Sequence, residues 1–513
     1  MAKTPSSKLF KLVKSLSGSE KRYFKLFIST KDKGNNKYAQ LFDAIDAQIE
    51  FDEEALRHSV YGDEIIETRK YSELKSYLYD LILKSLQSYD EKSSVDYKLK
   101  NMLLGVRTLF KRSLFEDCKD ILKKAKKLAT QYEDFNSLIE VLDWEKKIAY
   151  TQTDIAFLDK ELDRISEEEK KYLGQLKDIS VYRSVFFKML VTLRKDVSRS
   201  EMQKQELTRY INDPIFGDDQ KPSSYKSKLL YYRSMSLYHF SNYHLQEFHQ
   251  TSEKLIALME SNKKMLKEDV SEYISVLNNY IISCGRMKKF DEIEIALNKL
   301  KKVEPITADD EVKIHRQYYL NKLKLCITSG EFSEGAMEMK NHLKEARKFD
   351  QAQFLKNNFY SYYFNICFGI GDYDEALTWI NKWLMLPDSS DMNDLQSLGR
   401  LLNLIVNFEV GNMILLESLI RSTERYLKSE NRLSALEKRI ISFIKSFRQP
   451  LSKKEKKEAY KKLRSDLHEL STGQNKGISA FFNFDAWVAS KISGKGFAEE
   501  VRQKFQQQFK AGK

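Results

Sequence analysis

The clearest helix-turn-helix pattern in the sequence lies in residues Phe359–Pro387, FYSYYFNICFGIGDYDEALTWINKWLMLP. An aromatic-rich helix leads to a turn at Gly371-Asp372, and a second helix starts at Tyr373 and ends before Pro387. Glycine and aspartate favour tight turns, and proline cannot continue a helix because it lacks a backbone N–H. The stretch therefore predicts two helices joined by a short turn.

The aromatic residue after this turn recurs upstream at a nearly constant interval. Phe290 and Phe332 are 42 positions apart, and Phe332 and Tyr373 are 41 apart. Further matches are aromatic at Phe115 and Tyr243, and weaker near Ile155, Val197, Met413 and Leu451. Self-similarity at this interval is typical of stacked helical repeats, so we expect about nine helix-turn-helix units between residues 95 and 470.

Each position of the repeat has a physical role. The aromatic side chain fills the wedge where two antiparallel helices diverge, and a small residue three positions later lets the helix backbones approach closely. Small residues of this kind are Cys118, Gly335 and Ala376. Cysteines follow the same period, each six residues before a turn aromatic, at Cys284, Cys326 and Cys367. We interpret them as one recurrent buried slot, with a redox or metal role as the alternative.

The motif Gly371-Asp372-Tyr373-Asp374-Glu375-Ala376, with Trp383 and Pro387 after it, resembles the second half of a tetratricopeptide repeat. Ser329–Phe332 with Gly335 matches less fully. The resemblance implies an all-α fold, a right-handed α-solenoid of antiparallel helix pairs. The period here is about 40 to 47 residues against the family's ~34, which indicates a long-helix form, and HEAT-like stacking is the alternative.

In a tetratricopeptide array the first helix of each pair lines a concave groove. Side-chain amides there bond the backbone of a bound peptide, and a cation meets a carboxylate. Alignment on the turn aromatics carries this role to Tyr231, Tyr232, Asn278, Asn279, Arg286, Asn321, Lys324, Asn358 and Asn365. The resemblance thus implies a non-enzymatic scaffold or adaptor that binds a protein segment. The alternative is that these residues have no binding role, because Asn and Tyr are common on solvent-exposed helix faces.

Composition agrees with a helical array in the cytoplasm. Only 6 Pro and 18 Gly occur in 513 residues, which leaves few turn signals. Mean hydropathy is −0.55, and no run approaches the ~18 apolar residues of a membrane span. The first residues interleave lysines with apolar side chains, unlike a secretory signal, and the four cysteines are too widely spaced for a disulfide framework.

Residues 1–90 do not follow the repeat and predict a small helical N-terminal domain. Ser17–Glu20 is a capping box, Asp52 caps a short helix, and a long helix follows Gly62. Its inward positions are Tyr71, Leu74, Tyr77, Leu78, Leu81, Ile82 and Leu86. Three helices of this kind resemble the trihelical helix-turn-helix unit of DNA-binding proteins, and any helical cap gives the same pattern. The basic candidates for nucleic acid are Arg69, Lys70 and Lys75.

Both ends of the chain are basic. Residues 1–40 contain 10 basic and 2 acidic side chains and residues 421–513 contain 22 and 10, whereas the residues between carry a net charge of −7. Residues 471–513 predict a capping helix, dense in Phe and Trp, and a basic tail; this ending resembles those of bacterial tetratricopeptide proteins. The lysine-rich helix faces at these ends are typical of solvated surface. An anionic partner such as nucleic acid also fits such termini, which gives an alternative function: a regulator with a nucleic-acid-binding head and a sensing array.

Candidate reaction centres are weak in this sequence. His239, His244 and His249 lie close together, but a spacing of five turns successive side chains of one helix by roughly 140°. A turn within this segment would bring His239, His244 and Glu247 together in spite of that spacing, which leaves them as a candidate metal cluster. The sequence contains no Gly-rich phosphate loop, no His-Glu-x-x-His motif and no Gly-x-Ser-x-Gly elbow. We therefore expect no catalytic, cofactor or metal residues and no enzyme activity.

Overall fold

A computed structural model describes residues 7–29, 37–64, 67–90, 94–151, 155–195, 201–218, 221–349, 354, 359–386, 393–429, 435–471 and 481–510. These residues form 25 helices and no strands, so the all-helical prediction is confirmed for the described chain. None of the described helices combines the length and the apolar character that crossing a membrane requires.

The helices follow one another with short connections. The first eleven are α1 Lys8–Ser15, α2 Gly18–Ser29, α3 Lys37–Ala47, α4 Glu53–Tyr61, α5 Thr68–Asp90, α6 Val95–Phe110, α7 Phe115–Gln131, α8 Phe135–Ala149, α9 Ile155–Lys195, α10 Glu201–Ile211 and α11 Tyr225–Ser241. The next eight are α12 Leu245–Ser261, α13 Lys263–Glu268, α14 Val270–Arg286, α15 Phe290–Lys301, α16 Ala308–Ser329, α17 Phe332–Glu345, α18 Phe359–Ile370 and α19 Tyr373–Leu384. The last six are α20 Asn393–Val410, α21 Met413–Ser429, α22 Ala435–Ser446, α23 Lys453–Ser471, α24 Phe484–Ser493 and α25 Phe497–Lys510.

The chain divides into two compact units by its contacts. One unit comprises residues 1–186 and 214–231, and the other comprises residues 187–213 and 232–513. In the first unit, helices α1 to α5 enclose a core of their own that runs from Leu9 to Ile82. In the second unit, one continuous core extends from Val312 to Val488.

The caps predicted for the N-terminal helices are present, although five helices occupy residues 8–90 where the pattern suggested three. Ser17 N donates to a Glu20 carboxylate oxygen at 2.6 Å, and Glu20 N donates to Ser17 Oγ at 3.3 Å. The Asp52 carboxylate accepts from two backbone N–H groups at the start of α4. The inward assignment of Tyr77 was wrong, because its side chain is 51% exposed and its ring lies against Tyr38.

Seven turns between described helices share one geometry. A residue with positive φ lies two positions before the next helix, at Ser113, Glu133, Tyr243, Lys288, Gly330, Gly371 and Gly411. The N–H after it donates to a carbonyl five residues back, as from Glu331 to Cys326 and from Asp372 to Cys367, both at 2.9 Å. This is the Schellman closure of a helix C-terminus, which satisfies carbonyls that the helix itself leaves free.

The turn aromatics mark the first residue of a helix at most of the expected places. Phe115, Phe290, Phe332 and Tyr373 each begin a helix, and so does the fainter match Met413. Tyr243 was assigned wrongly, because it is the positive-φ residue of its turn, its side chain is 54% exposed, and Leu245 begins the helix.

The interval between Phe115 and Tyr243 departs from the expected repeat. Helix α9 runs unbroken for 41 residues from Ile155, where helices of two successive units were expected. Its charged side chains pair along its own surface, as Arg164 does with Glu161 and Glu168, which stabilises a long helix. The turn candidate Val197 lies outside the described residues. A turn that the repeat search missed lies before Phe135, only 20 residues after Phe115.

Neighbouring helices in the second unit pack in chain order. Helix α14 contacts α15, α15 contacts α16, and α16 contacts α17. The first helices of successive pairs also touch, since α14 contacts α16 and α16 contacts α18. Side chains on consecutive first helices therefore lie close together, and this contact positions the candidate site.

The C-terminal segment packs differently from the predicted single capping helix. It contains two described helices, and the last of them, α25, contacts α16 and α18. A Cβ atom built on Gly330 would lie 2.8 Å from Arg502 N and 3.0 Å from Ala498 O. The φ of +81° therefore favours glycine at this turn, and the close approach of α25 excludes a larger residue.

Gly330→Ala and Gly371→Ala form a matched pair that tests this packing. Both glycines have a φ near +81°, but a Cβ at Gly371 meets no atom within 4 Å. We expect Gly371→Ala to lower the free energy of unfolding by about 1 kcal/mol through the left-handed backbone alone. Gly330→Ala should cost at least ~1 kcal/mol more, because α25 must move.

Urea denaturation measures the loss in the free energy of unfolding for both variants. Amide hydrogen exchange of residues 497–510 measures the local stability of α25. Faster exchange is expected in Gly330→Ala and not in Gly371→Ala. Equal losses of stability with unchanged exchange in α25 would contradict the packing of this helix over Gly330.

Candidate functional site

The predicted groove residues of α14 and α16 lie next to one another. Asn321 Nδ2 donates to Asn278 Oδ1 at 2.9 Å and to Gln317 O at 2.8 Å. Asn279 is exposed beside this pair. Two amide side chains from successive first helices are thereby fixed relative to one another.

Two cations lie at the C-terminal side of the amide pair. The Arg286 guanidinium lies 4.5 Å from the centre of the Phe240 ring and 5.7 Å from that of Tyr243. Desolvation and the positive charge of Arg286 both lower the pKa of Lys324, whose side chain still reaches solvent. Lys324 forms no ion pair with any described residue. The surface here carries two positive charges, and one of them, that of Arg286, lies against aromatic rings.

The other candidates do not all join this surface. Tyr232 is partly exposed, with Lys254 Nζ 5.7 Å from its ring centre, whereas Tyr231 is buried against Tyr182 and Phe216. Asn365 is 3% exposed, and its Nδ2 donates to Ser361 O at 2.7 Å. Tyr231 and Asn365 therefore present no side chain to a partner in this conformation. Asn358 lies outside the described residues.

His249 contacts neither His239 nor His244, with which it was grouped in the sequence, but residues much later in the chain. Its Nδ1 lies 3.0 Å from Ser283 Oγ, and its Nε2 lies 2.7 Å from Lys289 Nζ. The same ammonium group is 3.1 Å from Oε1 of Glu292, and the other oxygen of this carboxylate accepts a hydrogen bond from Tyr280. These partners come from α14, α15 and the turn between them, so no local spacing in the sequence could identify them.

His249, Cys284 and Glu292 are the described residues best placed to hold a metal ion. One ligand atom from each lies within 4.8 Å of the others. Imidazole, thiolate and carboxylate suit Zn²⁺ and similar ions. The Lys289 ammonium group, however, already contacts both His249 and Glu292 and supplies a positive charge there. The Lys289 ammonium group thus occupies two of the three side chains that a metal ion would bind.

His239 and His244 lie on the two sides of a turn and so escape the spacing expected along one helix. Helix α11 ends at Ser241, and the reversal brings the two Nδ1 atoms to 3.5 Å. Burial and the neighbouring His244 lower the pKa of His239. The pair resembles a local contact at the turn rather than a centre with a third ligand.

A second histidine pair is fully buried in the second unit. His315 Nε2 lies 2.9 Å from His342 Nδ1, so one ring donates and the other accepts. Burial and the adjacent His315 lower the pKa of His342 to about 3, and burial lowers the pKa of His315. Five aromatic rings enclose the pair, from Tyr319, Phe349, Phe354, Phe359 and Tyr363.

Comparison with the models of known protein families finds no match, and a search of curated proteins finds none either.

Acid should destabilise the second unit through this histidine pair. A histidine whose pKa is lower in the folded state binds a proton first when unfolded, so stability is lost as the pH falls below about 6.5. His342 alone should contribute up to ~1.4 kcal/mol per pH unit down to its folded pKa of about 3. Denaturation in urea from pH 7 to pH 4 measures this slope.

His342→Gln keeps a hydrogen-bonding group beside His315 and removes the titration, so its stability should vary less with pH. His58→Gln, at an exposed position, is the matched control and should keep the wild-type slope. A wild-type slope in His342→Gln would show that the pair does not control acid stability.

The four cysteines should not react in the native protein. All are buried, and burial raises the pKa of Cys284, Cys326 and Cys367 to about 12. Thiolate, the reactive form, is therefore scarce at pH 8. Ellman's reagent should detect no fast thiol before unfolding and four per chain afterwards. One fast-reacting thiol in the folded chain would contradict the interpretation of these residues as structural.

Proposed function

We propose that residues 95–470 form a right-handed, tetratricopeptide-like α-solenoid flanked by the helical domain 1–90 and the C-terminal cap 471–513. We propose further that the chain is a non-enzymatic scaffold that binds a protein segment along the first helices. The observation that carries this proposal is the amide pair of Asn278 and Asn321, with Arg286 and Lys324 beside it.

The amide pair has free groups that match a peptide backbone. Asn321 donates both of its side-chain hydrogen bonds through Nδ2, so its Oδ1 remains as an acceptor toward a ligand. Asn278 accepts through Oδ1, and its Nδ2 donates to no described residue. One donor and one acceptor side by side complement the C=O and N–H of an extended peptide.

The cations add a preference for acidic segments. A carboxylate placed near Lys324 and Arg286 gains charge-assisted hydrogen bonds, which are about twice as strong as neutral ones. It also relieves the repulsion between Arg286 and Lys324, which together with desolvation lowers the pKa of Lys324. A peptide with an acidic side chain or a free C-terminus is therefore the favoured ligand.

The alternative, a regulator with a nucleic-acid-binding head, gains less support. Of its three basic candidates on α5, Arg69 pairs with Glu73 at 2.9 Å and Lys75 pairs with Glu53. These carboxylates neutralise the charge that a phosphate backbone would need. Lys70 remains exposed.

Selection from a random-peptide library on the immobilised full chain tests the proposal. We expect enrichment of acidic peptides, and at least tenfold weaker binding by Asn321→Ala/Lys324→Glu, which corresponds to ~1.4 kcal/mol. Asn298→Ala/Lys344→Glu makes the same changes at exposed positions of α15 and α17 and should bind within twofold of wild type.

Circular dichroism checks that both double variants keep the fold. The proposal fails if no peptide is enriched, or if the variant in α16 binds the selected peptides as wild type does. Capture of short duplex DNA at low salt, lost on deletion of residues 1–90, would instead favour the regulator.

A further inference from the structure

A cavity of about 560 Å³ lies among helices α7, α8 and α9 of the first unit. This volume falls in the range of sites that take small organic molecules. Four lysines of α7 line it, together with apolar side chains from α7 and α8 and charged side chains from α8 and α9. The cavity lies far along the chain from the amide pair, and the inference does not depend on the proposed function.

One wall of the cavity is a closed network of ion pairs. Lys126 Nζ lies 2.7 Å from a Glu168 oxygen and 3.2 Å from Glu145, and Arg164 lies 3.0 Å from Glu145. Arg164 also pairs with Glu161, and its hydrogen bond lowers the pKa of that carboxyl. The two lining carboxylates, Glu145 and Glu161, therefore already have cationic partners. They fix the wall and leave no unpaired negative charge for a ligand.

The unpaired charges that remain in the lining are positive. Lys123 and Lys127 are exposed and form no ion pair with any described residue. They are four positions apart on one helix, which places the bases of their side chains on the same face about 5–6 Å apart. An anionic group between the two ammonium groups would relieve their repulsion.

The floor of the cavity is apolar. Leu122, Ile148 and Ala149 line it and are 1%, 2% and 5% exposed. An apolar ligand surface covers the small area that these side chains still expose, together with the hydrocarbon stems of the lining lysines. The cavity thus combines an apolar floor, a neutralised wall and two unpaired cations at its edge.

We propose that this cavity binds a small amphipathic anion. The apolar body of the ligand lies on Leu122, Ile148 and Ala149, and its carboxylate, phosphate or sulfonate group lies between Lys123 and Lys127. Lys126 and Arg164 position the wall and are not the primary anion contacts, because carboxylates already neutralise them.

Two fluorescent probes separate charge from apolar contact. Anilinonaphthalene sulfonate carries the anion, and phenylnaphthylamine is the same body without it. The full chain should bind the sulfonate saturably. Lys123→Glu/Lys127→Glu should weaken its binding at least tenfold and change that of the uncharged probe less than twofold.

Lys111→Glu/Lys124→Glu is the matched control, since it reverses two exposed lysines outside the lining. It should change sulfonate binding less than threefold. Thr130→Trp fills the cavity from an exposed lining position and should reduce binding of both probes, whereas Lys124→Trp should not.

These surface variants leave the core untouched, so each result bears on the cavity. Saturable binding that the two reversals at Lys123 and Lys127 abolish, with both controls unchanged, supports the site. Absence of saturable sulfonate binding overturns the proposal, and so does equal weakening by the two pairs of charge reversals. Binding that Thr130→Trp leaves intact also overturns it.

Discussion

One backbone hydrogen bond recurs at seven turns of the described chain and constrains how each helix meets the next. A residue with positive φ ends the first helix, and the N–H that follows it returns to a carbonyl of the last turn. The next helix then begins two residues after the positive-φ residue. Three of the accepting carbonyls belong to Cys284, Cys326 and Cys367, which explains why the cysteines follow the period of the turns. Their small buried side chains leave room for the neighbouring helix.

The sequence predicted this part of the fold because the turn has local requirements. Glycine at Gly330 and Gly371 lowers the cost of a left-handed backbone, and the aromatic after it starts a helix. Tyr243 is itself the left-handed residue of its turn, so aligning on its aromatic side chain placed the start of α12 two residues too early. The return of α25 to α16 depends on contacts between distant segments, and no local pattern indicates such contacts.

The candidate site was predicted in part for the same reason. Counting from the turns placed Asn278 and Asn321 on adjacent helices, and the structure brings their amides to 2.9 Å. The count gives a position along a helix but not how deeply a residue is buried, so it did not exclude Asn365. It also gave no sign of the contacts that surround His249, whose partners come from other helices. The sequence does contain a pattern that indicates the lysine-lined cavity. Its four lysines recur at spacings of three and four along one face of α7, at Lys119, Lys123, Lys126 and Lys127.

Site-specific photo-crosslinking in cells tests most directly whether the first helices form the binding surface. A photoreactive phenylalanine at Asn279 or Lys324 samples α14 and α16, and the same residue at Asn298 or Lys344 samples the second helices. All four positions are exposed. The proposed scaffold predicts crosslinks to a protein partner from Asn279 and Lys324 alone. Crosslinks only from Asn298 and Lys344, or from none of the four positions, would contradict it.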